Sequence, residues 1–379
     1  MNTIMMWRWI ALFMLVASLG NAQSDDSHGS WKLGPFVKAD SVNPVLGPRR
    51  ESVFTCPIRT TSVRWESKAV FNPAAVVRHD TVFLLYRAQD SIGRPAGTSR
   101  IGLAWSTDGR TFNRSPEPVL YPDEDFMKSY EWEGGCEDPR IVEDERGMYV
   151  MTYTAYDGET ARLCIATSDD LYHWRKQGPA FGVADGGKYI DTWSKSGAII
   201  TRRMGSSNVA MKISDRYWMY WGESNVYVAS STDLINWEPV ERDDGGLFAA
   251  FGPRDRYFDS ELVEPGPPAT LTRQGILFIY NGKNAKSSGD PTYLPGTYAA
   301  GQVLVDSTNP SSVLLRSDGP FLRPDRVFEL EGQVDDVCFA EGLVHFRSEW
   351  LLYYGAADSV IAVASAHDRK QAGDQSDEQ

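Results

Sequence analysis

The residues of this 379-residue chain best suited to chemistry are carboxylates, and Asp138 stands first among them, in the run Gly134-Gly135-Cys136-Glu137-Asp138-Pro139-Arg140. The proline that follows Asp138 pushes its backbone toward an extended form, and Arg140, two residues on, falls on the same face of a strand. A carboxyl and a cation so placed make either a held proton donor or a structural ion pair stitching two parts of the fold together. Similar groups recur along the chain. Asn72, Glu137, Ser194 with Lys195, Glu264, and Asp335 with Asp336 stand at the starts of apolar segments, and Arg87, Asp90, Asp157, Glu223 and Asp358 stand at the ends of others. Two carboxyls facing one pocket suit glycoside hydrolysis: one with a raised pKa protonates the leaving oxygen, and the other activates water on the opposite face. Competing chemistries lack their residues. The five histidines include His28 ahead of the fold and His79 and His173 in turns, and no Ser-His-Asp order, GxGxxG or phosphate loop occurs. Nothing calls for a metal or another cofactor. The net charge of −13 would repel a phosphate backbone, so nucleic acid is excluded as a partner.

The elements that must position these groups form an internal repeat. Val82 to Asp90, Met148 to Asp157, Arg216 to Ser224, Ile276 to Asn284 and Trp350 to Asp358 each read as an apolar-aromatic strand ending in a polar turn. A second, shorter strand follows each, and a strand introduced by Pro or Gly precedes each: FNPAAVV, EDPRIV, SKSGAII, EPGPPATL and VDDVCFAEG. The tyrosines Tyr86, Tyr153, Tyr220, Tyr280 and Tyr354 mark steps of 67, 67, 60 and 74 residues. Three to four strands per period, with no helices between, predict an all-β, five-bladed β-propeller. An open sandwich is the alternative. In a propeller the first strand of each blade lines the central channel, so the polar residues at those strand starts converge in a wet pocket, because buried charges are costly unless paired or solvated.

Residues 1–22 carry Arg8, an apolar run from Trp9 to Leu19 and the small residues Gly20 and Ala22, the pattern of a secretory signal peptide. That run is too short to span a bilayer, and no later stretch is apolar enough to do so. The expected organisation is a leader (1–22), a lead-in (23–30), the propeller domain (31–366) and a charged tail (367–379), in a secreted or periplasmic protein. The twelve tryptophans lend weak support to a glycan ligand. Cys56, Cys136, Cys164 and Cys338 are widely spaced and fit either disulfides or buried free thiols.

EDPRIV with YTAYD, WSKSGAII, EPGPPATL and the closing LYYGAADSVIAVA together resemble glycoside hydrolase family 130, from about Asn72 to Ala364. That family holds inverting β-mannoside phosphorylases and β-1,2-mannosidases on a five-bladed propeller. The resemblance implies a β-mannoside oligosaccharide substrate and Asp138 as proton donor, directly or through a sugar hydroxyl. It also implies that Arg87 and Asp358 hold the mannose before the scissile bond, with Asn72, Arg140 and Lys195 as further substrate-binding residues. Phosphorylases of the family carry a basic His-Arg-Pro after the third aromatic strand, where this chain reads Tyr220-Trp221-Gly222-Glu223. Hydrolytic members place two glutamates there and in the next repeat, matching Glu223 and Glu264, either of which is the base. The resulting expectation is a β-1,2-mannosidase. A β-mannoside phosphorylase, with Arg162 and Lys195 as anion holders, and a non-catalytic carbohydrate-binding propeller are the alternatives.

Overall fold

The repeat marked by the five tyrosines is present as five antiparallel units. A computed structural model describes residues 31–368. The predicted leader and lead-in, and residues 369–379 of the predicted tail, lie outside the described residues. The first unit pairs Ala69–Arg78, Thr81–Gln89, Ser99–Ser106 and Asn113–Arg114 in order. The second pairs Gly135–Glu143, Tyr149–Tyr156, Ala161–Ser168 and Arg175–Pro179. Ala198–Met204, Arg216–Trp221, Val226–Ser231 and Trp237–Pro239 form the third. In the fourth, Leu262–Pro265 and Ala269–Leu271 share the place of a first strand beside Ile276–Lys283, Tyr298–Val305 and Val313–Arg316. The fifth pairs Cys338–Phe346, Glu349–Ala356 and Val360–His367, and its fourth strand is Val37–Lys38 from the other end of the described chain. The chain is therefore all-β, with only short helical turns such as Lys128–Glu131 and Val327–Leu330. No helix among the described residues is long and apolar enough to cross a membrane.

The strands read as near-continuous apolar runs because both faces of each unit are covered. Val70, Leu84 and Tyr86 of the first unit share a core with Leu351, Tyr353 and Val363 of the fifth. The other four cores likewise each join one unit to the next. A single unit could bury neither face alone, so the fold depends on neighbours throughout. The four cysteines are free and buried, which selects the thiol reading.

The marker tyrosines lie in these cores, and four of them end on a buried carboxylate. The hydroxyls of Tyr86, Tyr153, Tyr280 and Tyr354 donate to Glu66, Glu131, Asp259 and Glu329 at 2.9, 2.8, 2.6 and 2.7 Å. A cation from the fourth strand of the same unit completes each group: Arg114, Lys176, Arg316 and Lys38. Lys38 thus reaches across the chain closure to do for the fifth unit what a local residue does elsewhere. The third unit differs, since Tyr220 donates to the backbone carbonyl of Pro310 at 2.9 Å.

Candidate active site

The first strands are not regular where they matter. In the first, second and fifth units two residues oppose the single marker tyrosine, so each strand carries a β-bulge there. The bulged residues include Asn72-Pro73, Asp138-Pro139 and Ala340-Glu341. Asn72 and Asp138 both have φ of 48°, in the left-handed region. This corrects the extended backbone expected for Asp138 ahead of its proline: the bulge overrides the local preference, and surrounding pairings hold the strain. Gly135 opens the same strand at φ 115°, where a Cβ would stand 2.1 Å from the Ser99 carbonyl oxygen, so only glycine allows the second unit to approach the first this closely.

The bulges turn polar side chains into one cavity of about 280 Å³, lined by Asn72, Arg87, Asp138, Lys195, Glu223, Glu264 and Asp358 among others. Seven of the eight candidate site residues thus come together from all five units. The eighth, Arg140, does not reach the cavity. It is 1% exposed, and its guanidinium donates to the carbonyls of Gly266, Pro265 and Asp138 at 2.7, 2.7 and 3.2 Å. The extra residue in the bulge breaks the alternation that would have set Asp138 and Arg140 on one face. Arg140 thus lies beneath Asp138, outside the cavity lining, and clamps the backbone there.

Asp138 is buried among donors. Its Oδ1 accepts from Asn72 Nδ2 at 3.0 Å and from Arg87 Nη1 at 3.3 Å, and Lys195 Nζ lies 4.0 Å from Oδ2. Burial raises its carboxyl, but Arg87, Lys195 and Asn72 outweigh burial and hold it below the usual range. Arg87 also donates to Glu137 at 2.6 Å and lies over the Phe71 ring. Lys195 stands 3.3 Å from Glu264 Oε1, which also accepts from Ser196. Burial pushes Glu264 above its ordinary value and Glu223 adds to the push, against the pull of Lys195. Burial works against the charge on Lys195, yet Glu264, Glu223, Asp138 and Glu137 together keep its ammonium well above the ordinary value. Asp358, at φ 48°, is pushed up to about 6 by burial, with Arg87 and Lys195 opposing and Asp138 and Glu264 adding.

The remaining polar residues singled out in the sequence are occupied elsewhere. Asp90 accepts three backbone N–H groups and an ion pair from Arg100 at 2.8 Å. Asp157 pairs with Arg162, which also binds Asp191, so Arg162 is not a free anion holder. Asp335 and Asp336 are not in the lining, where Val334 and Val337 stand instead.

A family model described as beta-1,4-mannooligosaccharide phosphorylase matches residues 42–370. The chain belongs to glycoside hydrolase family 130. Among relatives in that family, a 1,2-beta-oligomannan phosphorylase of Thermoanaerobacter sp. is 30% identical over 338 residues, covering 86% of this chain and 96% of its own. Among solved structures, a putative glycosidase from Bacteroides thetaiotaomicron is 47% identical at a TM-score of 0.87, covering 88% of this chain and 97% of that one. Another, described in the words "the GH130 family of mannoside phosphorylases contains glycoside hydrolases that target beta-1,2 mannosidic linkages in Candida mannan", is 46% identical at 0.87, covering 89% and 97%.

Further residues shape this family-130 site beyond the eight candidates. Tyr298, Lys283 and Phe339 line the cavity, and Lys283 is paired with Glu261 at 2.7 Å. Lys283 and Tyr298 end a long Gly/Pro-rich connection whose length was the available signal. Trp193 donates to Glu223 at 2.9 Å. Glu341, the bulged residue of the fifth unit, is fully buried with Arg140 Nη1 3.5 Å away. Burial drives its carboxyl well above the usual range, against the pull of Arg140.

Proposed function

We propose that this chain is an inverting β-mannoside hydrolase acting on β-1,2-linked mannooligosaccharides, built as a five-bladed propeller whose blades are the five units described above. The observation that carries the hydrolytic reading is the charge inside the cavity. Four carboxylates, Asp138, Glu223, Glu264 and Asp358, face it with three cations, Arg87, Lys195 and Lys283. Each of those cations already has a carboxylate partner, in Glu137 and Asp138, Glu264, and Glu261. A phosphate dianion would meet Glu223 and Glu264 by like charge, whereas a water would find acceptors for its protons. The 46% identical structure linked to β-1,2-mannosidic hydrolysis supports the same choice.

In this reading Glu223 and Glu264 orient and deprotonate the attacking water, one of them as base. Asp138 protonates the leaving oxygen, directly or through a sugar hydroxyl. A bound mannose that excludes water and takes up the Arg87 donors weakens the forces holding Asp138 ionised, and so allows it to carry the proton. Asp358, Arg87, Asn72 and Lys195 hold the sugar. A second reading makes Asp358 the donor, since its carboxyl sits at about 6 while that of Asp138 is depressed. We also propose that residues 1–22 act as an export signal, placing the enzyme outside the cytoplasm, which N-terminal sequencing of the exported protein tests.

The test is a product assay on β-1,2-mannobiose. Free mannose released without phosphate, appearing first as the α-anomer by NMR, is expected. Mannose 1-phosphate formed only when phosphate is present would establish the phosphorylase, and tight binding without turnover would establish a binding protein.

A further inference from the structure

Glu223 and Glu264 share one task in the reading above, but they are held in different ways. Glu264 is tied by Ser196 and by Lys195. The hydrogen bond to Glu223 comes from an indole: Trp193 Nε1 donates to Glu223 Oε2 at 2.9 Å. Trp193 is not in the cavity lining and is 49% exposed, a large aromatic side chain left half in water. An exposed tryptophan is ordinarily unexplained surface, yet here its surroundings fix it in place. Residues on both sides are anchored to the second unit, since Ser194 N donates to the Ala161 carbonyl at 3.0 Å, Ser194 Oγ accepts from Leu163 N at 3.0 Å, and Asp191 pairs with Arg162 at 2.8 Å. The ring itself meets Tyr156 edge-on, with centroids 6.3 Å apart. The loop thus aims one N–H donor at a carboxylate carried by a different unit.

We propose that Trp193 is a positioning residue for the nucleophile side of the site: its indole N–H sets the orientation of the Glu223 carboxylate, so that the free carboxylate oxygen addresses the attacking water. This rests on the hydrolytic reading and deepens it. An indole N–H is neutral and donates only, so it fixes the carboxylate without supplying a cation that would also attract phosphate. Lys195, which faces Glu264, Glu223, Asp138 and Glu137, supplies the charge, and Trp193 supplies the direction. A group that acts only by orienting another affects the chemical step and leaves substrate binding alone.

Three variants separate this from a merely structural role. Trp193→Phe keeps an aromatic ring and removes the donor; kcat for β-1,2-mannobiose is expected to fall about tenfold, the size of one lost hydrogen bond to a charged group, with KM unchanged. Trp193→His places an imidazole Nε2 where the indole nitrogen lay and is expected to recover most of that loss. Trp193→Ala should match Trp193→Phe in kcat. Thermal melting of each variant is expected to stay with wild type. A Trp193→Phe enzyme with wild-type kcat, a Trp193→His enzyme no better than Trp193→Phe, or losses that track a lowered melting temperature would each overturn the proposal. A wild-type enzyme inactive without phosphate would instead sink the hydrolytic reading, and this inference with it.

Discussion

Two sets of buried carboxylates run through this molecule, and they are built to opposite ends. In the outer set, Glu66, Glu131, Asp259 and Glu329 each accept a tyrosine hydroxyl and a cation from the fourth strand of their unit. Their lone pairs are satisfied within the protein, as a buried charge requires. In the inner set, Asp138, Glu223, Glu264 and Asp358 face a cavity, and carboxylates outnumber cations in its lining. Residue types are the same in both sets. What differs is whether the surroundings complete the hydrogen bonding or leave it for a substrate. The third unit, which lacks an outer carboxylate under Tyr220, is also the one that contributes Lys195 and Glu223, with Trp193 just ahead of it.

The comparison is sharpest where activity and stability should separate. Asp138→Asn preserves shape and removes the proton, so turnover on β-1,2-mannobiose should fall by about 10²–10⁴ with the melting temperature nearly unchanged. A loss of folding in that variant would erase the distinction between the sets. Lys176→Met is the converse. It strips Glu131 of its cation and should lower unfolding free energy by about 3 kcal/mol in denaturant titrations, while activity per folded molecule persists.

The pH profile probes the inner set directly. Asp358 holds hydroxyls best when ionised, and its carboxyl sits at about 6. As a sugar-holding acceptor it should therefore make kcat/KM fall as pH drops through about 6, with that limb lost in Asp358→Asn. A fall as pH rises through about 6 would instead mark Asp358 as the proton donor. The smallest effect is expected at the odd outer position. Tyr220→Phe removes only a neutral bond to the Pro310 carbonyl and should cost about 1 kcal/mol in the same titrations.

Much of the inner set was readable from the chain because its members stand at fixed places in a repeat. Asn72, Asp138, Lys195, Glu264 and the strand-end residues Arg87, Glu223 and Asp358 were located by the repeat, and they meet. Arg140 was misplaced because a bulge cannot be seen in a pattern that assumes strict alternation. The outer carboxylates were missed although they precede their tyrosines by 20, 22, 21 and 25 residues, a regular spacing hidden in variable loops. Trp193 opens the WSKSGAII segment, but nothing in the sequence tied it to Glu223, which lies 30 residues on, beyond the strands Ala198–Met204 and Arg216–Trp221.

By itself the amino-acid order determined the five strand-rich units, the apolar runs that make each unit dependent on its neighbours, and which carboxylates lie near strand ends. Those are local properties, set by period and side-chain type. Only the tertiary structure decided that Asp138 turns into the cavity at φ 48° while Arg140 stays beneath it, that Lys38 completes the fifth unit, and that an indole steadies Glu223. Each of those depends on pairing between segments far apart in the chain, and such pairing is set by which partner satisfies a buried polar group once the units have packed.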